Sequence, residues 1–235
     1  MVVQCVIDEI GKMLLSITKT KYLINKGFCK EFMKIRKSVK NLSPEDKEKF
    51  VNAILRLKKS PNIIYPDDST YSRYDDYVEI HMNAMMAMSE TNPAEDPDWY
   101  PGWAHNGPAF LPWHRVYLIQ FEKDLQSVTQ DDSITVPYWD WTDNDSSPFA
   151  SDLIGSDGEA TKDNSPGKVL DRPFAYDGSN NWTIVVKDES SDPDYLTRGL
   201  GRREDAQRLP TTVQLDRVMQ IPFYDSQVWK LGSRF

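Results

Sequence analysis

A chain of 235 residues with 39% hydrophobic and 11% aromatic residues can build one domain with a substantial core, which excludes a disordered tail. A mean hydropathy of −0.60 and the lack of an apolar run of about 18 residues exclude a membrane-spanning helix. The net charge of −8 is uneven, with 14 basic and 6 acidic residues in positions 1–60 and 14 and 30 in the remainder. The early lysines are spread along helical surfaces, so we expect neither a nucleic-acid nor a membrane partner.

The first 28 residues form a predicted N-terminal extension of unknown role. They show no convincing secretory signal, because the apolar patch at residues 13–17 is short and no cleavage pattern of small residues follows it. A cytoplasmic location is therefore favoured over secretion. Cys5 and Cys29 would pair only in an oxidising compartment. Two cysteines are also too few for a cysteine-built metal site, so that any metal must be bound by histidine or carboxylate ligands.

Two helices are predicted near the start of the remaining chain. An apolar stripe at helical spacing predicts the first over residues 30–40. Ser43, followed by Pro44 and two acidic residues, has the chemistry of a helix start and predicts the second. The sequence Ser-Pro-Asn at residues 60–62 ends this helix, and a polar loop follows.

Two longer helices and the loop between them each contain one histidine. Apolar stripes predict the helices over residues 71–88 and 111–128. The loop at residues 90–108 holds four prolines and two glycines. The histidines of these segments are, in chain order, His81, His105 and His114.

The last third of the sequence predicts little regular structure. Residues 136–141 form a compact aromatic segment that we expect to be short and extended. Beyond residue 143 the chain is rich in Asp, Ser, Gly, Asn and Pro, and the clearest strand-like piece is at residues 182–186. We therefore expect one mainly α domain with long loops and small β elements.

The three histidines favour a metal site when they are considered together. Helices packed along their apolar stripes bring His81 and His114 into the core, and His105 lies just before the second of these helices. Three neutral imidazoles that converge suit copper, zinc or iron. For each histidine alone, a hydrogen-bonded core or surface residue is the more common case. The joint placement therefore carries the prediction.

The sequence around these histidines resembles the tyrosinase family, which includes polyphenol oxidases, catechol oxidases and molluscan haemocyanin units. Residues 105–125 (HNGPAFLPWHRVYLIQFEKDL), followed by residues 136–142 (VPYWDWT), resemble the first copper-binding region of that family. Shorter similarities follow in the family's order at residues 172–174 (RPF), 181–183 (NWT) and 224–226 (YDS). The resemblance covers about residues 29–235.

The resemblance implies a tyrosinase-like helical bundle with two coppers, each bound by three histidines. His81, His105 and His114 would be the metal ligands of the first copper. The implied activity uses O2 to hydroxylate a phenol or to oxidise a catechol to a quinone. A departure is Trp103, which stands where some members have a cysteine that is bonded to the nearby histidine.

The second copper site of the family uses histidines downstream of the YDS segment, and no histidine follows His114 in this sequence. We therefore expect residues 29–235 to form a partial tyrosinase copper-binding domain without the second-site helices. Such a chain would bind at most one copper and be inactive alone, unless a second chain supplies the other site. Two alternatives remain open: a haemocyanin-like oxygen-binding protein, and a single-metal, three-histidine pseudoenzyme or binding module.

Overall fold

A computed structural model describes residues 34–86, 104–105, 109–143, 145–159, 161–163, 165–176, 182–185, 195–200 and 209–222. The architecture below is that of the unit Arg36–Phe235. The predicted boundary between residues 28 and 29 lies outside the described residues, as do Cys5, Cys29 and Trp103.

The described residues form four α-helices and one two-stranded sheet. In chain order the helices are α1 (Pro44–Leu57), α2 (Arg73–Met86), α3 (Phe110–Thr129) and α4 (Thr212–Met219). The antiparallel strands are β1 (Gly167–Lys168) and β2 (Thr197–Arg198), with Gly167 opposite Arg198 and Lys168 opposite Thr197. This confirms the prediction of a mainly α fold with small β elements. Within these ranges, no helix is both long and apolar enough to cross a bilayer.

Helix α1 begins as its sequence predicts. The Ser43 hydroxyl accepts a hydrogen bond from the Asp46 backbone N–H at 3.1 Å, and the Asp46 carboxylate accepts one from the Ser43 N–H at 3.0 Å. This reciprocal cap satisfies two N–H groups that have no partner within a helix. The face that α1 buries consists of Phe50, Val51, Ala53, Ile54 and Leu57.

The two longer helices that carry histidines were also predicted correctly. The prediction for residues 71–88 is realised as α2, with residues 87 and 88 outside the described ranges, and that for residues 111–128 is realised as α3. At the start of α2, the Ser72 hydroxyl accepts from the Asp75 N–H at 3.3 Å and the Asp75 carboxylate accepts from the Ser72 N–H at 2.9 Å. The start of α2 is therefore fixed by local sequence.

The core lies where α1 packs against α2 and α3. Tyr77 of α2 meets Phe121 of α3 edge to face, with ring centroids 5.1 Å apart, an arrangement that aromatic pairs prefer. Tyr74 makes a similar contact with Trp182 at 4.9 Å. The buried cluster contains Val39, Phe50, Val51, Ala53, Ile54, Leu57, Tyr77, Leu125, Ile134, Leu153, Phe174 and Trp182.

The predicted helix over residues 30–40 is wrong for the part that the structure describes. Residues 34–37 have no helical structure, and only a single 3-10 turn follows at Val39–Asn41. The cause is a long-range pairing: the Val39 N–H donates to the Tyr138 carbonyl at 2.8 Å, and the Tyr138 N–H donates to the Lys37 carbonyl at 3.0 Å. The predicted aromatic segment at residues 136–141 is thus the extended segment with which residues 37–39 pair.

The strand-like piece predicted at residues 182–186 is also wrong over residues 182–185, which form no strand. Trp182 is instead buried in the core. Its backbone N–H donates to the Ala175 carbonyl at 3.1 Å. The Val185 N–H donates to the Asp75 carboxylate at 3.3 Å. An apolar run therefore packs side-on against α2 without a sheet neighbour.

Candidate metal centre

The three histidine rings form one cluster. Their ring centroids are 5.0 Å apart for His81 and His105, 5.5 Å for His81 and His114, and 5.4 Å for His105 and His114. One ring nitrogen from each can be chosen so that all three nitrogens lie within 4.8 Å of one another. Each histidine is half-buried. The structure thus brings together the three residues that the sequence singled out.

Two helices and one backbone contact position these rings. His81 lies on α2 and His114 lies on α3. The neighbour of His105, Ala104, is fully buried, and its N–H donates to the carbonyl of Ala84 on α2 at 3.4 Å. Because Ala84 lies about one helical turn after His81, this contact holds His105 beside the turn that carries His81.

The His114 ring is oriented by its own helix. Its Nδ1 lies 2.8 Å from the carbonyl oxygen of Phe110. A carbonyl can only accept, so Nδ1 carries the proton and donates, which leaves the Nε2 lone pair available for a metal. A hydrogen bond of this kind fixes both the tautomer and the ring orientation of metal-binding histidines.

The electrostatic environment favours neutral imidazoles. Burial lowers the pKa of His81, and the charges that His105 and His114 would carry lower it further. The pKa of His105 is lowered by burial and then by His114. Only the neutral ring has a free lone pair, so these shifts keep nitrogen donors available at neutral pH.

Aromatic side chains surround the three rings. The centroid of the Trp113 indole lies 4.9 Å from the His114 ring centroid and 5.7 Å from the His81 ring centroid. Tyr117 stacks on Trp113 at 5.1 Å and lies 5.8 Å from His81. Phe110 lies 4.5 Å from His114. Aromatic rings therefore cover part of the surface of the histidines and restrict water there.

Polar contacts also tie α2 to α3, and sequence reasoning missed these residues. The Tyr117 hydroxyl donates to the Tyr77 carbonyl at 2.9 Å, and the Tyr77 hydroxyl donates to the Asp124 carboxylate at 2.7 Å. The Arg73 Nε donates to the same carboxylate at 2.7 Å. Helical spacing could have placed these residues on facing surfaces, but it does not say which backbone or side-chain group each one reaches.

The family model for the common central domain of tyrosinase matches residues 71–232. The chain belongs to the tyrosinase family. The match begins at the residue before the α2 cap and therefore includes all three histidines.

Curated tyrosinases from two Streptomyces species show the same relationship. The tyrosinase of Streptomyces glaucescens is 35% identical over 204 residues, and that of Streptomyces antibioticus is 36% identical over 204 residues; each alignment covers 86% of this chain and 64% of the relative. This tyrosinase-family chain therefore spans less than two thirds of the length of those relatives. Among solved structures, a polyphenol oxidase from Thermothelomyces thermophila aligns with 78% of this chain and 52% of its own, at 23% identity and a TM-score of 0.49.

The donors of the tyrosinase-family site suit the metal that the family implies. Three imidazole nitrogens that lie within 4.8 Å of one another could surround a single ion. Imidazole is a good ligand for copper, and three protein ligands leave a position open. The Nδ1–H of His114, held by the Phe110 carbonyl, supplies the supporting hydrogen bond that such ligands require. The residues present therefore fit a copper ion.

Proposed function

We propose that this chain carries a copper site of an O2-dependent phenol or catechol oxidase, with His81, His105 and His114 as the metal ligands. The observation that carries the proposal is the convergence of three imidazoles from two helices and a loop to within 4.8 Å. Membership of the tyrosinase family selects copper among the metals that such a donor set can bind. The relatives named tyrosinase support a phenolic substrate and O2 as the small-molecule partners.

Copper bound here would supply O2 binding and one-electron redox chemistry. The chain's own residues prepare the site for the ion. His114 keeps its proton on Nδ1 through the Phe110 carbonyl and so presents Nε2 as a donor. Burial keeps His81 and His105 in the neutral form by lowering their pKa values. The aromatic rings of Trp113 and Tyr117 cover one side of His81 and restrict water there.

A phenol ring has a place to approach this site. Phe110 is 37% exposed and its ring lies 4.5 Å from His114 and 6.1 Å from His105. The adjacent Leu111 is 57% exposed. An exposed aromatic face beside metal ligands favours an aromatic substrate, because ring pairs gain stability in offset or edge-to-face contacts.

The number of histidines favours a second candidate function, a single-copper binding module. The sequence contains three histidines, and all three belong to this cluster. A site with two coppers, each held by three histidines, would need further ligands from residues outside this sequence. For the chain as given, we therefore propose one copper and no catechol oxidation by the chain alone.

The test is a copper titration of the full chain, followed by metal analysis after removal of excess ion. We expect about one copper per chain, because one three-histidine site binds one ion. His81→Ala, His105→Ala and His114→Ala should each weaken binding strongly. Gln120→Ala is a matched control on α3, since Gln120 is exposed, and its affinity should equal that of the unaltered chain.

Two results would contradict the proposal. Equal copper binding by the unaltered chain and the three histidine variants would show that the cluster is not the site. Turnover of a catechol by the purified, copper-loaded chain without any other protein would contradict the single-copper assignment.

A further inference from the structure

Tyr117 makes a contact that links the two histidine-bearing helices at the level of the metal ligands. Its hydroxyl donates to the Tyr77 backbone carbonyl on α2 at 2.9 Å. Within an α-helix, the carbonyl of residue i accepts the N–H of residue i+4. The Tyr77 carbonyl is thus the acceptor that also holds the backbone N–H of His81.

On its own helix, Tyr117 lies one turn after His114. Residues three apart share a helix face, and the Tyr117 ring stacks on Trp113 at 5.1 Å while lying 5.8 Å from the His81 ring. The Tyr117 side chain therefore starts on α3, one turn from His114, and contacts α2 one turn before His81.

We propose that Tyr117 is a positioning residue for the metal site, whose hydroxyl fixes the separation of the His81 and His114 backbones. The inference rests on the proposed function, because it requires that these histidines bind copper. A metal with three ligands from separate segments binds most tightly when the ligands are already held at the correct distances. The Tyr117 hydroxyl bonds to the α2 backbone, and through that bond it would act on the position of His81.

A second hydroxyl bond between the same helices provides a matched comparison. The Tyr77 hydroxyl donates to the Asp124 carboxylate at 2.7 Å, and the Arg73 Nε holds the same carboxylate at 2.7 Å. On α3 this contact lies farther from the histidines, since Asp124 is almost three turns beyond His114, and Tyr77→Phe keeps the Tyr77 backbone carbonyl that Tyr117 contacts. A bond to a charged acceptor also stabilises a fold at least as much as one to a carbonyl.

The experiment compares Tyr117→Phe with Tyr77→Phe in the full chain. Each variant removes one interhelical hydroxyl bond and keeps its aromatic ring. Copper affinity is measured by competition with a chromophoric chelator, the Cu(II) site by electron paramagnetic resonance, and folding by urea unfolding. We expect Tyr117→Phe to weaken copper binding about five-fold, the cost of one lost hydrogen bond, and to alter the Cu(II) spectrum. Tyr77→Phe should lower stability at least as much, yet keep the affinity within about two-fold.

The outcomes separate this inference from the function on which it rests. Equal copper affinities and identical Cu(II) spectra for Tyr117→Phe and the unaltered chain would overturn the positioning role while leaving the copper site intact. Equal losses in both variants would also overturn it, because they would trace the effect to general stability. Failure of the unaltered chain to bind copper would overturn the proposed function and this inference together.

Discussion

Asp75 should contribute more to stability than any exposed ion pair of this chain, and it anchors the helix that carries His81. Its side chain is fully buried, and its carboxylate accepts hydrogen bonds from the Lys58 Nζ at 2.5 Å and from the Ser72 hydroxyl at 2.5 Å. The backbone N–H groups of Ser72 and Val185 donate to it as well. Asp75 thus joins α1, the start of α2 and the segment at residues 182–185.

Asp75→Ala removes this carboxylate, and the burial of its partner Lys58 determines how much stability is lost. The Lys58 side chain is only 15% exposed, so the substitution leaves a largely buried ammonium without its carboxylate. Burial lowers the pKa of Lys58 despite that carboxylate, as expected for a charge with little access to water. Breaking a buried pair by removing one partner destabilises a protein by about 3–5 kcal/mol. Asp75→Ala should therefore lower the free energy of unfolding by about that amount.

Urea unfolding of the full chain, followed by circular dichroism, measures this loss. The matched control is Asp46→Ala. Asp46 follows the cap residue Ser43 by three positions, as Asp75 follows Ser72, but its ion pair with Lys37 is exposed to solvent. The loss of stability in this variant should be much smaller. Combining Asp75→Ala with Lys58→Met should cost less than the sum of the two single losses, because they remove the same pair. A loss below about 1 kcal/mol for Asp75→Ala, or strict additivity, would refute the reasoning.

Two further substitutions test how the loops are held. Arg198→Lys should lower the thermal unfolding midpoint, because the Arg198 guanidinium donates to the carbonyls of residues 154, 155 and 156 at once. A lysine cannot reproduce that fork of donors. An unchanged midpoint would show that these contacts add nothing to stability. Gly167→Ala should disrupt the pairing of β1 with β2, because a Cβ at Gly167 would lie 1.9 Å from the Glu159 carbonyl oxygen. Faster amide exchange at residues 167–168 and 197–198 is the expected readout, and wild-type protection would contradict it.

Local chemistry made part of this fold predictable. Ser43 and Pro44 determine where α1 begins, since a hydroxyl cap and a proline in the first turn act within a few residues of sequence. The helical stripes around His81 and His114 similarly predicted that these rings lie close together, and the structure brings them together with His105, although all three are half-buried and lie outside the core cluster. Their role as metal ligands stays a prediction.

The features that sequence reasoning missed depend on contacts between distant segments. The helical pattern at residues 30–40 competed with backbone bonds to Tyr138, some hundred positions away, which no local signal reveals. Residues 182–185 have strand-like composition but pack as an irregular segment against Asp75. The Tyr117 hydroxyl bond likewise depends on the packing of α2 against α3, which periodicity restricts to a face but not to a partner atom.

We propose that three imidazoles of this chain bind a single copper ion. X-ray absorption spectroscopy of the copper-loaded full chain tests it most directly, because scattering from imidazole rings reports how many histidines bind the metal. We expect three imidazole ligands per copper, with one fewer in His105→Ala. A spectrum with at most one imidazole, or one that His105→Ala leaves unchanged, would contradict it.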